Sequence, residues 1–308
     1  MSTIYFDSSV SDTSRRQALY KGDFHVFSPT PSSLALCQHA RDLISEAFGS
    51  CNPEMAQYSL EVEEYVTILA ELKPKFIHHP HSKECIRGIL QELNCNLEKT
   101  YFDVPRLRTV TSDGYLTSGI GYAFHPHRDT WYSAPQSQIN WWLPLYEIDP
   151  ENAMAFHLKY WKQPIKNGSR DYNYYQWNAQ SRGNAANHIH KDTRKQPHAE
   201  EQIDLEPELR VITPVGGLLL FSGAQMHSTI PNTSGRTRFS IDFRTVNLDD
   251  LENRTAAPNI DSECTGTTLR DFLRSSDLTR LTDKLIAAYD DDSERSGVLL
   301  YQPKVDAT

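Results

Sequence analysis

A histidine and an aspartate two positions apart, His127 and Asp129, lie in the run Phe124-His125-Pro126-His127-Arg128-Asp129-Thr130. In an extended strand residues i and i+2 point to the same face, so the two side chains are expected to converge on one point. A third candidate, His227, follows 98 residues after Asp129, just past the apolar run Gly217 to Phe221. Two imidazoles and one carboxylate on one face of an octahedron leave three positions open for a bidentate co-substrate and O2, an arrangement that suits iron(II). Structural zinc would instead want four protein ligands, usually including sulfur.

Arg238 lies eleven positions after His227, and Ser240 two further on. On an antiparallel strand both would project into a barrel while Phe239, Ile241 and Phe243 pack outside it. A guanidinium fork with a nearby hydroxyl is a receptor for a buried carboxylate. Arg236 and Arg244 share the parity of Arg238, so spacing alone leaves each open as the anchor, and Asp242 can pair with one of these arginines. The strand Gln138 to Tyr146 turns Asn140 and Trp142 inward if Gln138 faces in, toward the co-substrate or substrate. Core packing is the competing account of Trp141 and Trp142. A second His-x-Asp pair, His190 and Asp192, sits in a polar stretch, whereas His127 and Asp129 lead into an apolar strand. The first pair is therefore the expected metal site. His125 is assigned a neighbouring or structural role, and His78, His79 and His81 read as exposed residues of a link between helices.

The elements that position these residues fall into three stretches. Residues 1–96 read as mainly helical. One helix runs from Ser32 to Phe48, with Ser32 or Ser33 as cap and Gly49 as stop. A second runs from Asn52-Pro53 to about Leu72 with its exit at Pro74, and a third from Ser82 to Leu93. Residues 97–247 break into short β-rich runs at Leu107–Thr111, Tyr115–Tyr122, Gln138–Tyr146, Leu209–Thr213, Gly217–Phe221 and Arg238–Val246, the pattern of a sandwich or barrel. A polar insertion at about 150–208, rich in Tyr, Trp, Asn and His, interrupts them and reads as a lid. Its aromatic residues suit a polar or cyclic small molecule, and equally a homodimer contact. Residues 248–308 read as a helical C-terminal segment, with helix predicted over about Thr268–Tyr289, as one helix or as two divided at Ser275-Ser276-Asp277.

His127-x-Asp129, His227 and Arg238-x-Ser240 resemble the pattern of the iron(II)/2-oxoglutarate-dependent oxygenases. The strand Gln138-Ile139-Asn140-Trp141-Trp142-Leu143-Pro144-Leu145 is similar to members of their phytanoyl-CoA dioxygenase-like branch. The likeness covers about residues 97–247. It implies a mainly β fold with flanking α-helices around a double-stranded β-helix, the cupin-like jelly roll, in a single oxygenase domain. It also implies iron(II) on His127, Asp129 and His227, with O2 as oxidant. Bound 2-oxoglutarate, held by Arg238 and Ser240, would be converted to succinate and CO2 while a substrate C–H bond is oxidised, by default to an alcohol. Asp129 stands where halogenating relatives carry a small residue, which disfavours halogenation. Two readings compete: a non-catalytic jelly roll that binds a ligand or partner, and a cupin-like metal-dependent isomerase or hydrolase without 2-oxoglutarate. Neither requires the Arg238 and Ser240 pair.

The bulk numbers narrow the partners. The 308 residues allow one full-sized core. With 31 Lys and Arg against 40 Asp and Glu, the net charge of -9 gives no attraction to nucleic acid or anionic lipid. Five cysteines (Cys37, Cys51, Cys85, Cys95, Cys264) without regular spacing read as free thiols of a reducing cytoplasm. No leader or membrane span is expected, and the partner is a small-molecule substrate.

Overall fold

Two facing β-sheets carry the residues singled out above. In the computed structural model, which describes residues 2–117, 125–180, 194 and 196–290, the strands are β1 (Ile4–Phe6), β2 (Phe24–Phe27), β3 (Thr100–Phe102), β4 (Arg106–Val110), β5 (Ile139–Pro144), β6 (Met154–Phe156), β7 (Leu209–Arg210), β8 (Leu218–Ser222), β9 (His227–Thr229), β10 (Arg238–Asn247) and β11 (Leu273–Arg274). The helices are α1 (Asp12–Leu19), α2 (Pro31–Phe48), α3 (Val62–His78), α4 (Pro80–Glu92), α5 (Tyr174–Gln180), α6 (Leu248–Glu252) and α7 (Asp283–Ala287). The architecture is mixed α/β. Among the described residues the large sheet has eight strands in the order β1-β2-β8-β5-β10-β3-β11, with β4 also paired to β10, and the small sheet has the order β7-β6-β9. None of the described helices is long and apolar enough to cross a membrane.

Strand alternation divides the large sheet's two faces. Trp141, Leu143, Leu218, Leu220, Phe239, Ile241 and Phe243 form one buried core with the apolar stripes of the helices, including Leu36, Ala40 and Ile44 of α2 and Ile86, Ile89 and Leu90 of α4. Burying each such side chain stabilises by roughly 1.5–3 kcal/mol. The opposite face packs Phe24, Val26, Trp142, Leu219 and Phe221 against Met154 and Phe156 of the small sheet. This inner layer is where Arg238, Ser240, Asp242 and Arg244 emerge, since they pair in register with Val110, Arg108, Arg106 and Asn140.

Local chemistry explains most element ends. Thr30, rather than Ser32 or Ser33, caps α2: its hydroxyl accepts from Ser33 N while Ser33 returns a bond to the Thr30 backbone, and Pro31 fills the first turn. Gly49 ends the helix with φ of 59°. The second predicted helix is displaced. Ala56–Tyr58 is only a 3-10 turn, and α3 runs through Pro74 to His78. An interior proline costs about 3 kcal/mol, yet the buried stripe Val66, Leu69, Leu72 and Phe76 continues across it and outweighs that cost.

The first hundred residues also supply β1 and β2. The segment Thr268–Tyr289 is neither one helix nor two but a 3-10 turn (Thr268–Asp271), β11 and the short helix α7. Of the run Leu209–Thr213 only Leu209–Arg210 pairs. In Tyr115–Tyr122, residues 115–117 are not strand and the rest lies outside the described residues, as do His190 and Asp192.

Candidate metal centre

His127 and His227 meet at a single antiparallel bridge that joins the two halves of the candidate site. Each backbone N–H donates to the other's carbonyl at 3.0 Å. Asp129 does not continue a strand, as the spacing had suggested. It opens a 3-10 turn (Asp129–Tyr132), and its N–H donates to Gly223 O at 2.9 Å. The three side chains converge nonetheless. One ligand atom from each of His127, Asp129 and His227 lies within 4.8 Å of the other two, all three residues are buried, and among the described residues no other such set occurs.

Backbone carbonyls orient both imidazoles. Nδ1 of His127 lies 2.8 Å from His125 O, and Nδ1 of His227 lies 3.0 Å from Gln225 O. A ring nitrogen facing a carbonyl must carry the proton, which puts the lone pair on Nε2. The two Nε2 atoms face Asp129 Oδ1 at 3.5 and 4.0 Å. Burial, with His127 alongside, pulls the His227 pKa down to about 4, so its imidazole is neutral at pH 7. The rings of Phe221 and Phe156 stand 5.0 and 6.2 Å from that of His227 and screen it from water.

The two oxygens of Asp129 have different surroundings. Oδ2 accepts from Gln138 Nε2 at 3.0 Å and Asn140 Nδ2 at 2.7 Å, with Arg244 Nε at 3.5 Å. Burial opposes ionisation here. Arg244 and the two histidines outweigh it and hold the carboxyl well below the usual carboxylate range. Arg244 also pairs with Asp103 at 3.2 Å and approaches Asp242 at 3.9 Å. Asn140 thus lies on the carboxylate of the candidate site, Gln138 and Arg244 join it there, and Asp103 stands behind Arg244. Strand parity could have placed Gln138 beside Asn140. Asp103, from the turn between β3 and β4, left no local signal.

The three arginines of common parity separate cleanly. Arg236 is 36% exposed and pairs with Asp149 at 3.0 Å. Arg244 is committed to its carboxylates, while Asp242 is bonded to Arg108. Arg238 is buried, bonds only backbone carbonyls (Asn152 O at 2.8 Å, Ala153 O at 3.3 Å), and has no carboxylate partner among the described residues. Its guanidinium carbon stands 5.7 Å over the Trp142 ring. Among the described residues, Arg238 Nε and Ser240 Oγ are both buried without a hydrogen-bond partner. Burial and the neighbouring Arg108 lower the Arg238 pKa to about 10, the mark of a cation placed where an anion would be welcome.

Around the centre, His125 bonds Pro197 O at 2.9 Å and serves as a neighbour. Tyr132 of the 3-10 turn lies 5.5 Å from His127, Tyr172 of the insertion lies 5.4 Å from Tyr132, and Trp177 lies 5.9 Å from Tyr172, so turn and insertion together lay a row of rings beside the site. His79 is the single exposed residue linking α3 to α4 and its ring caps α4, while His78 and His81, also exposed, lie on the two helices themselves.

Arg128, between the two predicted ligands, points away into a clamp. It lies 3.1 Å from Asp261 and donates to Ala224 O at 2.7 Å, while Trp131 Nε1 donates to the same carboxylate at 2.8 Å. Replacing Asp261 by alanine strands a buried guanidinium and is expected to cost about 3–5 kcal/mol in a urea melt. A loss below about 1 kcal/mol, the range of an exposed pair, would contradict this account of the clamp.

No family model and no curated relative matches the chain. Among solved structures it is similar to the non-heme monooxygenase ThoJ in its apo form (14% identity, 83% of this chain and 78% of that one, TM-score 0.38). It is also similar to EvdO2 from Micromonospora carbonacea var. aurantiaca complexed with 2-oxoglutarate (13%, 78% and 92%, TM-score 0.42). A third is SnoN, a non-heme alpha ketoglutarate dependent epimerase from nogalamycin biosynthesis (12%, 76% and 82%, TM-score 0.38).

Proposed function

We propose that the protein is an iron(II)- and 2-oxoglutarate-dependent oxygenase that oxidises a C–H bond of a small-molecule substrate, its two facing sheets forming a double-stranded β-helix. The observation that carries this reading is a pair of buried donors without a hydrogen-bond partner among the described residues, Arg238 Nε and Ser240 Oγ, on the same inner strand face as the Asn140 and Arg244 that reach Asp129. A metal site alone would need neither.

The donor set fits the metal. Two imidazole nitrogens, each ring held by a carbonyl behind it, and one carboxylate oxygen match the three-ligand face that iron(II) oxygenases use. When bound, iron with O2 and 2-oxoglutarate supplies the oxidising chemistry, with succinate and CO2 as co-products. The chain's own part is positional. His127, Asp129 and His227 would hold the metal, and Arg238, stacked over Trp142, with Ser240 would receive the far carboxylate of the co-substrate. Phe156 and Phe221 keep water from the His227 side, and the Tyr132, Tyr172 and Trp177 rings offer a wall for the substrate.

Iron-loaded protein given 2-oxoglutarate and O2 without substrate should release succinate slowly, and the Arg238→Ala variant should release at least about tenfold less, the loss of one charged hydrogen bond. A silent barrel or a redox-free isomerase predicts no succinate from either protein.

A further inference from the structure

We infer that Gln138 and Asn140, backed by the charge of Arg244, are positioning residues that restrict Asp129 to one-oxygen ligation and so preserve an open coordination position. This rests on the metal reading above and assigns roles which that reading does not require.

The geometry is asymmetric. Both amides donate to Oδ2, whereas Oδ1 faces the imidazole nitrogens. Gln138 Nε2 also donates to Asn140 Oδ1 at 2.9 Å, which occupies the carbonyl end of Asn140 and leaves its NH2 to face Asp129. Gly223 lets Gln138 come this close, because a Cβ there would stand 3.2 Å from Gln138 Nε2 and 3.5 Å from Asp129 Cβ. Turning the carboxylate to present both oxygens would break two charge-assisted bonds inside a buried site.

The consequence is a matter of counting. With one oxygen from Asp129, three of six octahedral positions stay open, two for a 2-oxo acid and one for O2. With two oxygens bound, the 2-oxo acid would take the last two. The amides therefore decide whether the site can hold both co-substrates, and satisfying a buried carboxylate is only part of what they do.

The test uses the full chain loaded with Mn(II), counting exchangeable metal-bound waters by oxygen-17 water relaxation. Wild type is compared with Gln138→Met, Asn140→Leu and the double variant, side chains of similar shape without the donors. We expect three waters in wild type and two in the double variant. Mn(II) affinity should fall less than about tenfold, because the second oxygen replaces part of what outer contacts lose. If the double variant does not fold, either single variant gives the same readout. Three waters in every folded variant would overturn the inference and leave the metal site intact. Failure of wild type to bind Mn(II) would remove the metal reading and the inference together.

Discussion

Replacing Asp129 by alanine will lower affinity for divalent iron by more than about a hundredfold, since changes to outer contacts alone already cost roughly 10–100-fold. That corresponds to about 2.7 kcal/mol or more. The fold should survive. Arg244 keeps Asp103 and Asp242 as partners, and the stranded amides of Gln138 and Asn140 cost about 1–3 kcal/mol each at most. Equilibrium dialysis with Fe(II) or Co(II), beside a urea melt, separates loss of metal from loss of fold. The control is His190→Ala in the rival pair, which should bind metal as wild type does. If His190→Ala loses the metal and Asp129→Ala keeps it, the site lies elsewhere.

Arg238→Met should raise the dissociation constant for 2-oxoglutarate by about a hundredfold or more, because truncating one partner of a buried charged pair costs about 2–5 kcal/mol. Metal affinity should not change. Stability is a second diagnostic. Arg238 is a buried cation without a carboxylate partner among the described residues, so an apolar side chain of similar length relieves its desolvation while leaving the Asn152 and Ala153 carbonyls without that donor, and the ligand-free protein should lose no more than about 1–3 kcal/mol. Arg236→Ala should leave 2-oxoglutarate affinity alone, since that side chain pairs with Asp149 at the surface. A destabilised Arg238→Met with unchanged 2-oxoglutarate affinity would make Arg238 an ordinary structural residue.

The core of the candidate site was legible because its signals are local or periodic. His127-x-Asp129 is a short spacing, and the alternation of Arg238, Ser240, Asp242 and Arg244 against Phe239, Ile241 and Phe243 follows from the pleat. The three predicted ligands meet, although through one bridge and a 3-10 turn in place of a regular strand. The support around Asp129 was only half legible. Gln138 and Asn140 share a strand face, but their acceptor was hidden by tertiary contact. Asp103 lies 141 residues from the Arg244 it pairs with, and no local pattern records such a pairing. Which of three arginines faces an anion depends on strand register and on the carboxylates nearby, and both are long-range. The same holds for the elements. Strands β1 and β2, of three and four residues, are too short to show a period. Pro74 reads as a helix end until the buried Phe76 beyond it is known.

The most direct measurement is an anaerobic titration of iron(II)-loaded wild-type protein with 2-oxoglutarate, followed in the visible range. A weak metal-to-ligand charge-transfer band that requires iron, saturates with 2-oxoglutarate and fades in Arg238→Met is the predicted result. Folded, iron-replete protein that develops no band would contradict the 2-oxoglutarate site.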